Sequence, residues 1–216
     1  MGEKTRSIVR RGCRVFLAAL LPVLVRLRVS GREHVPDSGP LVVVFNHISH
    51  FDPPLLVALM PWPIEFIAVT DLWQVPVTGW LIRIYGAIPL QRGQGDRAAL
   101  RTATKVLSRG GVLSIAPEGR IAPGAALEKP QPGAAYFALR CGAPLLPVGI
   151  VGVERILENI RRGRRTEVNI KIGTPFVLNW SEGPRRERLA RASDEIMEHI
   201  AALLPVAYRG VYAQTE

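Results

Sequence analysis

The feature that most constrains this chain is an alternation of two patterns. Short, mostly apolar and β-branched runs occur at Leu41–Phe45, Ile64–Val69, 87–90, Val112–Ile115 and Leu145–Val151. Helix-like stretches lie between them, at 53–60, 79–85, 96–109 and Gly133–Cys141. A continuous apolar run reads as a strand covered on both faces, because a half-exposed strand would alternate. Strands alternating with helices predict an α/β fold, a mostly parallel sheet with helices on both faces. A later strand is expected at 168–172, and the charged, helically spaced segment 185–204 closes the fold. No repeat, low-complexity segment or linker divides the chain. Its 216 residues fit one domain, 31–216, preceded by a distinct segment, 1–30.

That first segment is basic and apolar by turns. Lys4, Arg6, Arg10, Arg11 and Arg14 precede an apolar run at 15–25, which Arg26 and Arg28 close. The run is shorter than the roughly 20 residues a membrane-spanning helix needs. It resembles the charged and apolar regions of a secretory signal, but arginines follow at once and no small-residue cleavage site stands downstream. The better reading is a basic helix lying in the membrane interface, kinked at Pro22. An ordinary core helix with a basic start is the alternative.

The whole chain carries a formal charge of +10, which implies an anionic partner. Aromatic residues are only 6%, and none interleave with arginines as in a single-strand binder. No zinc-finger spacing or RNA-binding signature occurs. Anionic lipid is therefore the expected partner, and nucleic acid is not. Cys13 and Cys141 are far apart, suggest no metal site, and read as free thiols of a reducing compartment.

The run Leu41–Phe45 leads directly into Asn46-His47-Ile48-Ser49-His50-Phe51-Asp52-Pro53-Pro54. In open α/β sheets ligands sit beyond the carboxyl ends of strands, so this loop stands where chemistry is expected. Pro53 at a first helical position makes Asp52 the expected N-cap of the next helix. Across such a turn the carboxylate can fold back onto His47. An imidazole held by a carboxylate has a fixed tautomer and a stabilised cationic form, as a general base requires. Each residue alone would read as a cap or a core histidine; the pairing after a buried strand favours catalysis.

Asn46-His47-x-Ser49-x-x-Asp52 resembles the His-x4-Asp block of the glycerolipid acyltransferase family. Further blocks of that family follow in order. Pro76-x-x-Gly79, then Gly86-Ala87-Ile88-Pro89-Leu90-Gln91-Arg92, is similar to the second. Ala116-Pro117-Glu118-Gly119-Arg120 resembles the Pro-Glu-Gly block. Lys129-x-x-x-Gly133 and Pro144-Leu145-Leu146-Pro147-Val148-Gly149 look like the segment closing the core. The resemblance covers residues 31–173.

It implies that His47 and Asp52 are catalytic and that Arg92, Glu118, Gly119 and Arg120 bind substrate. Arg92 leaves a strand end in a glycine-flanked loop, where a guanidinium can fork onto a phosphate. Glu118 is expected to bond the acceptor or orient its neighbours, and Gly119 to let backbone approach closely. Two departures stand out. The family usually has Glu-Gly-Thr-Arg where this chain has Glu118-Gly119-Arg120-Ile121, and often a lysine where this chain has Thr70. Both bear on phosphate binding more than on acyl transfer.

The expected activity is therefore transfer of a fatty acyl group from acyl-CoA or acyl carrier protein to a lysophospholipid hydroxyl, 1-acylglycerol-3-phosphate first among them. No metal and no cofactor beyond the acyl donor is expected. The expected location is peripheral or monotopic, on the cytoplasmic face of the membrane. Two rivals remain: the same chemistry on glycerol-3-phosphate or a lyso-lipid without phosphate, and a non-catalytic basic module binding membrane or nucleic acid.

Overall fold

The computed structural model describes residues 3–91, 96–179 and 182–213. Its strands are β1 (Val25–Ser30), β2 (Leu41–Phe45), β3 (Ile64–Val69), β4 (Ile88–Leu90), β5 (Val112–Ile115), β6 (Leu145–Val151) and β7 (Thr166–Ile172). The α-helices are α1 (Glu3–Leu24), α2 (Asp52–Leu59), α3 (Pro76–Tyr85), α4 (Arg97–Ser108), α5 (Gly133–Cys141), α6 (Ile156–Arg161) and α7 (Arg185–Ala201).

The most thoroughly apolar run becomes the centre of the sheet. All of β2 is buried, with β6 on one side and β5 on the other, in the order β1-β7-β6-β2-β5-β3-β4. Leu41, Val43 and Phe45 face a layer that includes α1, α2 and α6. Val42 and Val44 face a second layer, from α4, α5 and α7. Each such side chain contributes about 1.5–3 kcal/mol by leaving water, and β2 is buried from both sides at once.

Strands β6, β2, β5, β3 and β4 run parallel, so their carboxyl ends share one edge. Strand β7 is antiparallel to β6, and β1 is parallel to β7. These two strands therefore present their amino ends at that same edge. The mostly parallel α/β sheet with helices on both faces is as expected.

The start of the chain departs from expectation. Val25–Ser30 was counted with the docking segment, yet it pairs along its whole length with β7 as a strand of the sheet. Val25-Arg26-Leu27-Arg28-Val29 alternates, and Val25 is fully buried, so the arginines interleave a strand rather than close a helix. The boundary drawn at residue 30 thus falls at the end of a strand in the main sheet.

Nor do all the early basic residues face outward. Arg10 is buried and forms a double ion pair with Glu65 on β3. Its guanidinium also donates to the carbonyls of Tyr85 and Gly86, each at 3.1 Å, and lies 5.1 Å from the centre of the Tyr85 ring. Arg14 donates to the Pro61 carbonyl. These bonds fix α1 to the domain. The opposite face of α1 exposes Ile8, Val15, Phe16 and Val23. Among the described residues no helix is long and apolar enough to cross a membrane.

Candidate active site

Strand β2 ends at Phe45, and the next side chain replaces the ladder. Asn46 is fully buried; its amide nitrogen donates to the Ile150 carbonyl at 2.8 Å, and its oxygen accepts from the Ile150 N–H at 2.7 Å. This two-way bond to β6 fixes where the following loop leaves the sheet.

The loop then wraps one carboxylate oxygen. Asp52 Oδ2 accepts from the N–H groups of Ile48 and Ser49, both at 2.8 Å, and lies 2.8 Å from His47 Nδ1. Asp52 was expected as the N-cap of α2. Instead Phe51 occupies the cap position, and Asp52, first in the helix, turns its carboxylate back into the loop. Pro53 and Pro54 offer no N–H, so nothing in the first turn competes for it. Burial pushes the Asp52 carboxyl up from its ordinary value, against the opposing pull of His47 and the two N–H groups. Its second oxygen is buried without a hydrogen-bond partner.

With Nδ1–H directed at Asp52, His47 keeps the lone pair of Nε2 for other work. The His47 side chain is 20% exposed, whereas Asp52 is sealed off. The Phe45 ring meets the imidazole edge-on at 5.8 Å between centres.

The loop after β5 clamps the main chain of His47 from both sides. Glu118 Oε1 accepts from the His47 N–H at 3.0 Å, and the Ala122 N–H donates to the His47 carbonyl at 2.7 Å. The other Glu118 oxygen accepts from the Glu128 N–H at 3.2 Å. Burial pushes the Glu118 carboxyl up to about 7, although both N–H groups oppose the shift. Gly119 adopts φ 69°, and a Cβ there would lie 3.2 Å from the Gln131 side chain. The tight turn that aims Glu118 at His47 therefore requires glycine.

A protein-family model described as Acyltransferase matches residues 26–151, a span that includes every one of these groups. The chain belongs to this acyltransferase family.

The acyltransferase is 30% identical, over 90% of its length and 80% of the relative's, to lyso-ornithine lipid O-acyltransferase of Pseudomonas aeruginosa. It is 27% identical to 1-acyl-sn-glycerol-3-phosphate acyltransferase of Bacillus subtilis, over 87% of this chain and 95% of that one. Among solved structures it is similar to PlsC, the 1-acyl-sn-glycerophosphate acyltransferase of Thermotoga maritima. That likeness has a TM-score of 0.70 at 28% identity, covering 93% of this chain and 80% of the other.

In the acyltransferase, His47, Asp52 and Glu118 come together, but Glu118 turns both oxygens to main-chain N–H groups rather than outward. Arg120 is exposed and makes a paired bond to Glu128, at 2.7 and 2.9 Å. Its charge is thus already answered by a carboxylate. Arg92 lies outside the described residues. Of its described neighbours, the Asp96 carboxylate accepts from Gln91 N–H at 3.0 Å and caps α4 through Ala98 and Ala99. Asn46 was named from the sequence only as part of the His-x4-Asp block, with no role of its own, and Ala122 and Glu128 were not singled out. Only Asn46 left a signal, a polar residue directly ending a fully apolar strand.

Proposed function

We propose that this acyltransferase moves a fatty acyl group from acyl-CoA or acyl carrier protein to the free hydroxyl of 1-acylglycerol-3-phosphate, in phospholipid synthesis. His47 Nε2 takes the hydroxyl proton as the acceptor oxygen attacks the thioester carbonyl carbon. The C–S bond then breaks, and the thiol leaves with the proton returned from the imidazolium. Asp52 holds the ring and stabilises its charge; a carboxylate so poorly solvated gains most from a cation beside it. Glu118 is a positioning residue that holds the His47 backbone. The transfer needs no metal or resident cofactor. The observation that carries this reading is the 2.8 Å contact between His47 Nδ1 and an Asp52 oxygen already fixed by two N–H groups.

The enzyme works on the cytoplasmic face of a membrane, with the Ile8, Val15, Phe16 and Val23 face of α1 set into the interface. Cys13 and Cys141 are free thiols, in keeping with a reducing compartment.

One observation favours a second acceptor. Arg120 is engaged by Glu128, and Thr70 stands where the family often has lysine, so a phosphate finds fewer free cations than expected. A lyso-lipid without phosphate, such as the substrate named for the Pseudomonas relative, suits that environment. Thiol release from acyl-CoA, followed with 1-acylglycerol-3-phosphate, glycerol-3-phosphate and lyso-ornithine lipid as acceptors, decides between them. Release that depends on the phosphate-bearing lyso-lipid supports the first reading, release with lyso-ornithine lipid alone supports the second, and no acceptor-dependent release refutes both.

A further inference from the structure

The end of α6 and the turn that leads into β7 lie outside both the core and the catalytic loop. This segment reads Arg161-Arg162-Gly163-Arg164-Arg165, and all five residues are exposed. Just before it, Leu157 and Ile160 are 57% and 41% exposed on one face of α6, and Arg161 shares that face, four residues on from Leu157. A merely solvated turn needs the arginines but not the two bare apolar side chains beside them.

Three placements give the cluster a direction. Because β7 runs antiparallel to β6, the turn that precedes it opens on the edge where β2 delivers His47. Arg165 donates to the Val25 carbonyl at 2.9 Å, so the turn is fastened to the junction of α1 and β1. That junction lies beside Val23, the last exposed apolar residue of α1. Arg162 pairs with Glu158 at 2.8 Å, whereas no described carboxylate pairs with Arg161 or Arg164.

We infer that the α6–β7 turn is a second docking site, which takes the headgroups of an anionic bilayer and sets the mouth of the active site against it. The inference rests on the membrane-surface reading of α1 and extends it. Leu157 and Ile160 enter the interface, the guanidinium groups of Arg161 and Arg164 fork onto lipid phosphates, and Arg162, paired with Glu158, trades that exposed carboxylate for a lipid phosphate at the surface. Arg165 stays with the Val25 carbonyl. Charge complementarity selects the occupant: the chain is strongly cationic, and here its cations adjoin exposed apolar side chains. A nucleic acid would use the arginines but leave Leu157 and Ile160 in water.

The test is co-sedimentation of full-length protein with phosphatidylcholine vesicles, with and without phosphatidylglycerol. The variants are Arg161→Gln/Arg162→Gln/Arg164→Gln and, separately, Val15→Ser/Phe16→Ser in α1. Each cation near an anionic surface changes binding roughly fivefold, so the triple variant should lose about a hundredfold on anionic vesicles. It should bind pure phosphatidylcholine as wild type does, and turn over a water-soluble short-chain acceptor at the wild-type rate. The α1 variant should lose binding to both vesicle types. A triple variant that holds anionic vesicles as tightly as wild type overturns the inference while leaving the α1 reading intact. Wild-type protein that binds neither vesicle type overturns both. Tighter binding to a nucleic-acid duplex than to anionic vesicles at equal salt, lost in the triple variant, also overturns it.

Discussion

Glu118 Oε1 lies 3.0 Å from the main-chain nitrogen of His47, so a buried acid on one loop holds the backbone of the proposed base on another. The carboxyl is lifted from 4.5 to about 7, chiefly by burial. An acid whose pKa rises on folding favours the native state while protonated. That contribution is complete below pH 4.5 and is lost as pH rises through about 7. The loss amounts to about 3 kcal/mol. Wild-type stability relative to Glu118→Gln, by denaturant titration, should therefore fall by up to that amount between those pH values. A difference that stays constant or grows with pH contradicts this assignment.

Arg10 makes a second prediction. It was counted among the cations awaiting a membrane, but it is buried against Glu65 and two carbonyl oxygens. Removing one partner of a buried pair costs about 3–5 kcal/mol, because the other charge is left uncompensated. Arg10→Ala should lose stability on that scale in thermal or denaturant unfolding. Exposed Arg11→Ala should change stability by less than about 0.5 kcal/mol. Equal small effects would mean that Arg10 does not tie α1 to the domain.

Strands buried on both faces, such as Leu41–Phe45 and Leu145–Val151, announce themselves as apolar runs, so the sheet was legible. Strand β1 was not, because its alternating residues follow an apolar helix without a break. The short helix α6 has too few turns to establish a period. The link from His47 to Asp52 was legible because it is local. The cap position was misassigned because Asp52 is already the first helical residue of α2 and Phe51 precedes it as the cap. The bonds from Glu118 to His47 and from Asn46 to Ile150 span 71 and 104 positions, and only the folded sheet brings those groups together.

The two arginines proposed for the acceptor phosphate should differ. Arg120 is exposed and its guanidinium is already paired with Glu128, so it is not free to take the acceptor phosphate. Arg120→Ala should therefore leave kcat/KM for 1-acylglycerol-3-phosphate within about fivefold of wild type. Arg92→Ala should lower it roughly ten- to a hundredfold, with Arg92→Lys recovering only part. Steady-state kinetics on acceptors with and without a phosphate check this. Equal loss on both acceptors would make Arg92 structural, and a large loss in Arg120→Ala would give that role to Arg120.

The central claim is that His47, held by Asp52, is the general base. The most direct measurement is the rate of acceptor-dependent thiol release by His47→Ala protein whose unfolding temperature matches that of wild type. General-base catalysis commonly contributes about 10²–10⁴-fold, and the variant should lose at least that much. Asp52→Asn should also lose turnover. His50 is exposed on the same loop, and the Asp52 carboxylate bonds His47 instead, so His50→Ala should keep the wild-type rate. Near-normal thiol release by folded His47→Ala, or its abolition in His50→Ala, would contradict the account.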